Sequence, residues 1–89
     1  MRKIHETGPN MVYPYGESAT RLIVYALDTE DEFWEVSDLL ENGKHNELED
    51  MFDVQGEYNF IPAGERFVRY SFEILGDFVV ITETIAYNV

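Results

Sequence analysis

The stretch Arg66-Phe67-Val68-Arg69-Tyr70-Ser71-Phe72-Glu73-Ile74-Leu75-Gly76-Asp77, continuing as Phe78-Val79-Val80-Ile81-Thr82-Glu83-Thr84-Ile85-Ala86-Tyr87, decides the fold. Two runs rich in branched and aromatic residues flank a two-residue Gly76-Asp77 turn, which is a β-hairpin signature. Closing the chain at that turn sets the register. Ile74 then faces Val79, Phe72 faces Ile81 and Val68 faces Ile85, all on one side. The other side pairs Glu73 with Val80, Ser71 with Thr82 and Arg69 with Thr84. One apolar and one mostly polar face predict an antiparallel sheet covered on one side only. Tyr70 opposite Glu83 breaks the pattern, because a carboxylate would enter the covered side. It must sit at the rim or accept the tyrosine O–H.

Upstream, Arg21-Leu22-Ile23-Val24-Tyr25-Ala26-Leu27 is a short, nearly continuous apolar run and reads as an interior strand. A helix start follows. Thr29-Glu30-Asp31-Glu32 has capping-box spacing, and three acids in the first turn suit the positive end of the helix dipole. Phe33, Val36, Leu39 and Leu40 form its apolar face, and Asn42-Gly43 stops it. A second, shorter helix is predicted to start near Asn46, with Leu48, Met51 and Phe52 inward and Gly56 beyond its end. Glu57–Ile61 adds a short strand before the Pro62-Ala63-Gly64 turn. Residues 1–18, with Gly8-Pro9-Asn10 and Tyr13-Pro14-Tyr15-Gly16, read as largely irregular with room for one short strand. The expected architecture is a single α+β domain over 1–89. It has two layers: an antiparallel sheet of three to four strands, and two acidic amphipathic helices on one face.

Charge is the other strong signal. Eighteen acids against six bases give a net charge of −12. From Asp28 to Glu57 there are twelve acids and one base, Lys44, whereas the flanks hold six acids and five bases. Nearly all the excess lies on the helical segment, well above the magnitude of about 2–8 that serves solubility in a small domain. A surface of this sign disfavours direct binding to nucleic acid or to an anionic membrane. It favours a basic partner. No apolar run is long enough to span a bilayer, and no apolar stretch follows Arg2-Lys3 as a signal peptide would require. The absence of cysteine excludes disulfides and thiol chemistry and suits a cytoplasmic location.

Nothing in the chain points to catalysis, to a cofactor or to a metal. His5 and His45 lack ligand partners at helical spacing; the first is expected in a frayed end and the second in an interhelical loop. Asp28–Glu32 lacks the glycine and distal glutamate of an EF-hand loop. Gly16-Glu17-Ser18-Ala19-Thr20 lacks the closing glycine of a nucleophile elbow.

The candidate partner-binding residues are therefore Asp31, Glu32, Glu35, Asp38 and Glu41 on the first helix and Glu47, Glu49, Asp50 and Asp53 on the second. Trp34 serves as a possible aromatic anchor or as a simple flank to the core. Asp31, Glu35 and Asp38 form a stripe in which residues four apart rise about 6 Å. That is comparable to every second phosphate of a DNA strand, whose phosphates advance about 3.4 Å each. Glu49 and Asp53, also four apart, would widen it. Met11, Tyr13 and Tyr15 offer a second possible contact surface.

In size, charge and acidic helices over Asp28–Glu57 beside an antiparallel sheet, the chain resembles the small acidic DNA-mimic inhibitors encoded by phages. These are anti-restriction proteins, anti-CRISPR proteins and the uracil-DNA glycosylase inhibitor, a class united by charge and not by one fold. The resemblance implies an inhibitor, monomeric or homodimeric, that occupies the nucleic-acid-binding surface of a basic nuclease or its complex in the host cytoplasm. Two alternatives stand beside it. One is an immunity protein or antitoxin for a basic nuclease toxin. The other is a small adaptor subunit whose acidic face is only solvated.

Overall fold

The computed structural model describes residues 1–7, 18–61 and 64–88. The expected turns at Gly8-Pro9-Asn10, around Tyr13–Gly16 and at Pro62-Ala63, and the contact surface of Met11, Tyr13 and Tyr15, lie outside the described residues. The elements run β1 (Arg2–Glu6), β2 (Ser18–Ala26), α1 (Glu30–Glu41), α2 (His45–Met51), β3 (Glu57–Ile61), β4 (Gly64–Leu75) and β5 (Phe78–Asn88). The strands form one antiparallel sheet in the order β1-β2-β5-β4-β3.

The β4–β5 register is the one that a Gly76-Asp77 turn dictates, with Ile74 opposite Val79, Phe72 opposite Ile81 and Tyr70 opposite Glu83. Gly76 takes a φ of 60°, the left-handed geometry that such tight turns need. Ring closure over two residues leaves no freedom to slip without turning every side chain to the opposite face.

The expectation of three to four strands is corrected to five, because Arg2–Glu6 pairs with β2. As an edge strand exposed throughout, it buries no face and therefore carries no alternation for a sequence reading to detect. Its register shifts between Lys3 and His5, leaving Ile4 as an extra residue. Such a bulge bends an edge strand and discourages further pairing. His5 is thus a strand residue and not part of a frayed end.

The route of the chain explains why one face is covered. β2 lies second in the sheet and β3 lies at the far edge, so the segment joining them must cross β5 and β4. That segment is α1 and α2. Val36, Leu48 and Phe52 from the helices pack with Ile23, Val79 and Ile81 from the strands as one buried cluster. Tyr25, Leu39, Leu40, Met51, Phe72 and Ile74 surround it. Phe52 stands between Tyr25 and Phe72, with ring centroids 5.0 Å and 5.7 Å away.

Both helices end in the same motif. Gly43 N–H donates to Leu40 and Lys44 N–H to Leu39; Asp53 N–H donates to Asp50 and Val54 N–H to Glu49. This is the paired Schellman arrangement, which needs a left-handed residue just past the cap. Gly43 supplies it after α1 at φ 66°, and Asp53 supplies it after α2 at φ 54°.

Candidate partner-binding surface

The helical acids divide into two groups by what they touch. Asp28 and Glu32 are used by the fold. Arg2 grips Asp28 through Nε at 2.9 Å and Nη2 at 2.8 Å, and the guanidinium holds that carboxyl below its usual range. Thr29 Oγ1 accepts from Glu32 N–H at 3.2 Å, as a helix N-cap should. Glu32 reaches back to the N–H of Asp28, one residue before the cap, and also contacts the Met1 ammonium, which lowers its pKa.

Glu49 is likewise committed. Its side chain is only 13% exposed and accepts the Gly56 N–H at 3.0 Å, with His45 Nε2 at 3.5 Å. It pins the connection from α2 into β3, so it does not pair with Asp53 in an outward stripe. His45 opens α2, where an interhelical loop residue was expected, and its ring meets Phe72 edge-on at 5.4 Å.

The remaining candidates stand on the solvent side. Asp31, Glu35, Asp38 and Glu41 on α1 and Glu47, Asp50 and Asp53 at α2 are exposed. At 100° per residue, Asp31 and Asp38 lie nearly opposite the buried Val36, and Glu35 flanks them about 100° from it. Trp34 is 60% exposed beside this stripe; its indole N–H donates to Glu30 at 3.3 Å and its ring meets Phe33 edge-on. A shallow depression along α2 is lined by Asn46, Glu49, Asp50 and Asp53 together with Val54, Gln55 and Gly56.

Five of the six bases are deployed elsewhere, and Lys44 alone stands between the two helices. Arg2 pairs with Asp28, Lys3 with Glu6, Arg21 with Glu6 and Glu83, and Arg66 with Glu57. Arg69 lies over the Phe67 ring at 4.5 Å. Among the described residues, which include every lysine and arginine of the chain, no base forms an ion pair with Asp31, Glu35, Asp38, Glu41, Glu47, Asp50 or Asp53.

The residue that sequence reasoning left unassigned is Arg21. It stands opposite Glu83 on β2, as Tyr70 does on β4, so three polar residues form one row across the central strands. Glu83 Oε2 accepts from Arg21 Nη2 at 2.7 Å and from Tyr70 O–H at 2.6 Å. The signal was present in the sequence: Arg21 is two residues before the core residue Ile23 and so shares its face.

Among the described residues no group of histidines and acids is placed to hold a metal ion, and no helix is long and apolar enough to cross a membrane. No family model matches the chain, and neither does any curated protein or solved structure.

Proposed function

We propose that the chain is an acidic inhibitor that binds the basic nucleic-acid-binding surface of a partner protein by mimicking nucleic acid. On this reading it is a phage anti-restriction or anti-CRISPR protein, acting in the host cytoplasm on a defence nuclease. It takes α1 and α2 as acidic amphipathic helices whose outward carboxylates stand where phosphates would.

One observation supports the reading above the rest. Four of the six bases neutralise acids around the sheet and at the entry to α1, while the exposed helical acids are left without ion pairs. Unpaired like charges on one layer repel each other and oppose compaction, so their concentration there costs stability that a mixed surface would not. A cationic groove recovers that cost on binding, and the attraction speeds encounter. The depression along α2, lined by Glu49, Asp50 and Asp53, suits an arginine or lysine side chain. Exposed Trp34 beside the α1 stripe supplies an aromatic contact that charge alone does not give.

The test is capture from a nucleic-acid-rich lysate with the wild-type chain and with Glu35→Lys/Asp38→Lys/Asp53→Lys. The expected result is a basic nucleic-acid-binding protein that is released by salt and by duplex DNA, and that the triple variant fails to capture. Capture that ignores salt, DNA and the reversal alike would rule the proposal out.

A further inference from the structure

Among the described residues, the helices cover one face of the sheet and no element covers the other. At its turn end this uncovered face carries Leu75 and Phe78, 52% and 43% exposed, and Leu22, 41% exposed, lies in its middle row opposite Thr82. At its other end it carries Phe67 and Ala86, opposite each other on β4 and β5. Between these ends, along β2, β5 and β4, the charged side chains among the described residues are Arg69 and Glu73, one of each sign. Glu65 adds one acid beyond Phe67, beside Tyr58 of β3, so most of the acid excess lies on the far layer and this face is mixed: apolar at its two ends and polar along the Arg69–Thr84 and Ser71–Thr82 rows.

Its size fits a protein partner. β4 is twelve residues long. At about 3.4 Å per residue and about 4.8 Å between strands, the five strands at their own lengths span on the order of 700 Å². That is about the area each partner contributes to a standard interface. A single exposed leucine would need no explanation; here Leu75 and Phe78 lie side by side at one end of the face, with Phe67 and Ala86 side by side at the other.

We propose that this face is the interface of a two-fold homodimer in which Arg69 of each copy pairs with the partner's Glu73. Arg69 and Glu73 lie at equal distances on either side of Ser71, which is opposite Thr82. A two-fold axis along that row, lying in the interface and running across the strands, stacks β4 on β4 with direction reversed. Arg69 then meets the partner's Glu73 and Glu73 meets the partner's Arg69, so both charges are matched twice. The same operation sets Phe67 against the partner's Leu75. It sets Phe78, the largest side chain at the turn end, against the partner's Ala86, the smallest at the other. Leu22, in the same row as Thr82 on β2, meets the partner's Leu22.

Any interface in which strand directions run parallel would bring Arg69 near the partner's Arg69 and lose the match. A self-complementary patch of this kind is what a closed two-fold contact requires. The arrangement also solves the charge problem. The helix layers of the two copies point outward, separated by both sheets, a distance of about 30 Å from layers stacked about 10 Å apart. That exceeds the Debye length of about 8 Å at physiological salt, so mutual repulsion is screened. The dimer presents two acidic faces on opposite sides. Nothing in this inference depends on the nature of the partner those faces bind.

The experiment is sedimentation equilibrium of the purified full chain, at concentrations up to about 100 µM. The wild type is expected at twice the monomer mass of 10.4 kDa. Arg69→Glu and Glu73→Arg, both at exposed positions whose folding is checked by circular dichroism, should each weaken self-association at least about tenfold by opposing like charges. The double variant Arg69→Glu/Glu73→Arg should restore it, since each copy again faces the opposite sign. A monomeric wild type overturns the proposal. So do single variants that still dimerise normally, or a double variant as dissociated as the singles.

Discussion

Tyr70 and Glu83, directly opposite each other on β4 and β5, are joined by a 2.6 Å hydrogen bond on the helix side of the sheet. Glu83 is 6% exposed and is the sole buried charged residue among those described. Arg21 supplies its counter-charge from β2 at 2.7 Å. The row Arg21–Glu83–Tyr70 thus closes one end of the apolar cluster formed by Ile23, Ile81 and Phe72 in the adjacent row. A buried carboxylate is tolerated only with such partners.

Removing one partner should therefore cost more than removing two. Arg21→Met is expected to lower stability by about 2–3 kcal/mol, below the full value for a buried pair because the arginine is partly solvated. Tyr70→Phe should cost about 1–2 kcal/mol. Arg21→Met/Glu83→Leu should be more stable than Arg21→Met alone, since no charge is then left unpaired. Urea unfolding of the four proteins checks the order. A double variant less stable than Arg21→Met would contradict the assignment.

The same row sets an alkaline limit. Burial, followed by the hydrogen bond to Glu83, pushes the Tyr70 hydroxyl up to about 12. The unfolded chain releases this proton near its ordinary pKa of about 10, so the folded state alone retains it between the two values. The contribution is complete below pH ~10 and is lost as the pH rises towards 12. For a half-buried ring it amounts to about 1–2 kcal/mol after discounting for solvent. Stability measured at pH 9 and at pH 11.5 should fall more steeply for the wild type than for Tyr70→Phe. Equal slopes would remove Tyr70 as the cause.

Gly56 is constrained by what surrounds it. A Cβ there would lie 3.0 Å from Glu49 Oε1 and 3.2 Å from the Val68 carbonyl oxygen. The carboxylate can move only by releasing the Gly56 N–H it holds, and the carbonyl belongs to β4. Gly56→Ala is expected to cost about 1–3 kcal/mol. Gly43→Ala meets no neighbour, and its cost of about 1 kcal/mol comes from the left-handed backbone alone. Thermal unfolding of the pair separates the two causes. A Gly56 variant as stable as the wild type would mean that Glu49 does not hold the loop.

Asp53 occupies the left-handed position after α2 where glycine is the favoured residue. Asp53→Gly should stabilise the chain by about 1 kcal/mol, by relieving the backbone cost and removing one charge from a repelling layer. If Asp53 also meets a basic partner, the same variant binds that partner more weakly. Denaturation midpoints and binding measured on one preparation test both effects; a destabilised variant would show that the carboxylate has a structural role instead.

Salt should stabilise this protein. Repulsion among the unpaired helical acids is screened as ionic strength rises, and this outweighs the weakening of the few surface pairs, each worth at most about 1 kcal/mol. The unfolding midpoint is therefore expected to climb between about 20 mM and about 500 mM sodium chloride, as the Debye length shrinks several-fold. A midpoint that falls across that range would show that the ion pairs dominate.

The amino-acid sequence by itself determined whatever rests on local geometry. The Gly76-Asp77 turn dictates the register of β4 on β5, because two residues can close the ring in only one alignment. Thr29 and Asn42-Gly43 bound α1, since cap hydrogen bonds reach only three to five residues. The concentration of charge between Asp28 and Glu57 is likewise a property of the chain alone. Only the tertiary structure decided the rest. Arg2–Glu6 becomes a fifth strand without any apolar period, because an edge strand is held by backbone pairing to β2 and buries no side chain. Arg21 meets Glu83 across 62 residues of sequence because the helical crossover lets β5 insert beside β2. Glu32 and Glu49 turn to backbone N–H groups while Asp31, Glu35 and Asp38 face solvent. Acids of one kind in one segment are indistinguishable until packing decides which of them lies within hydrogen-bond reach of an unpaired donor.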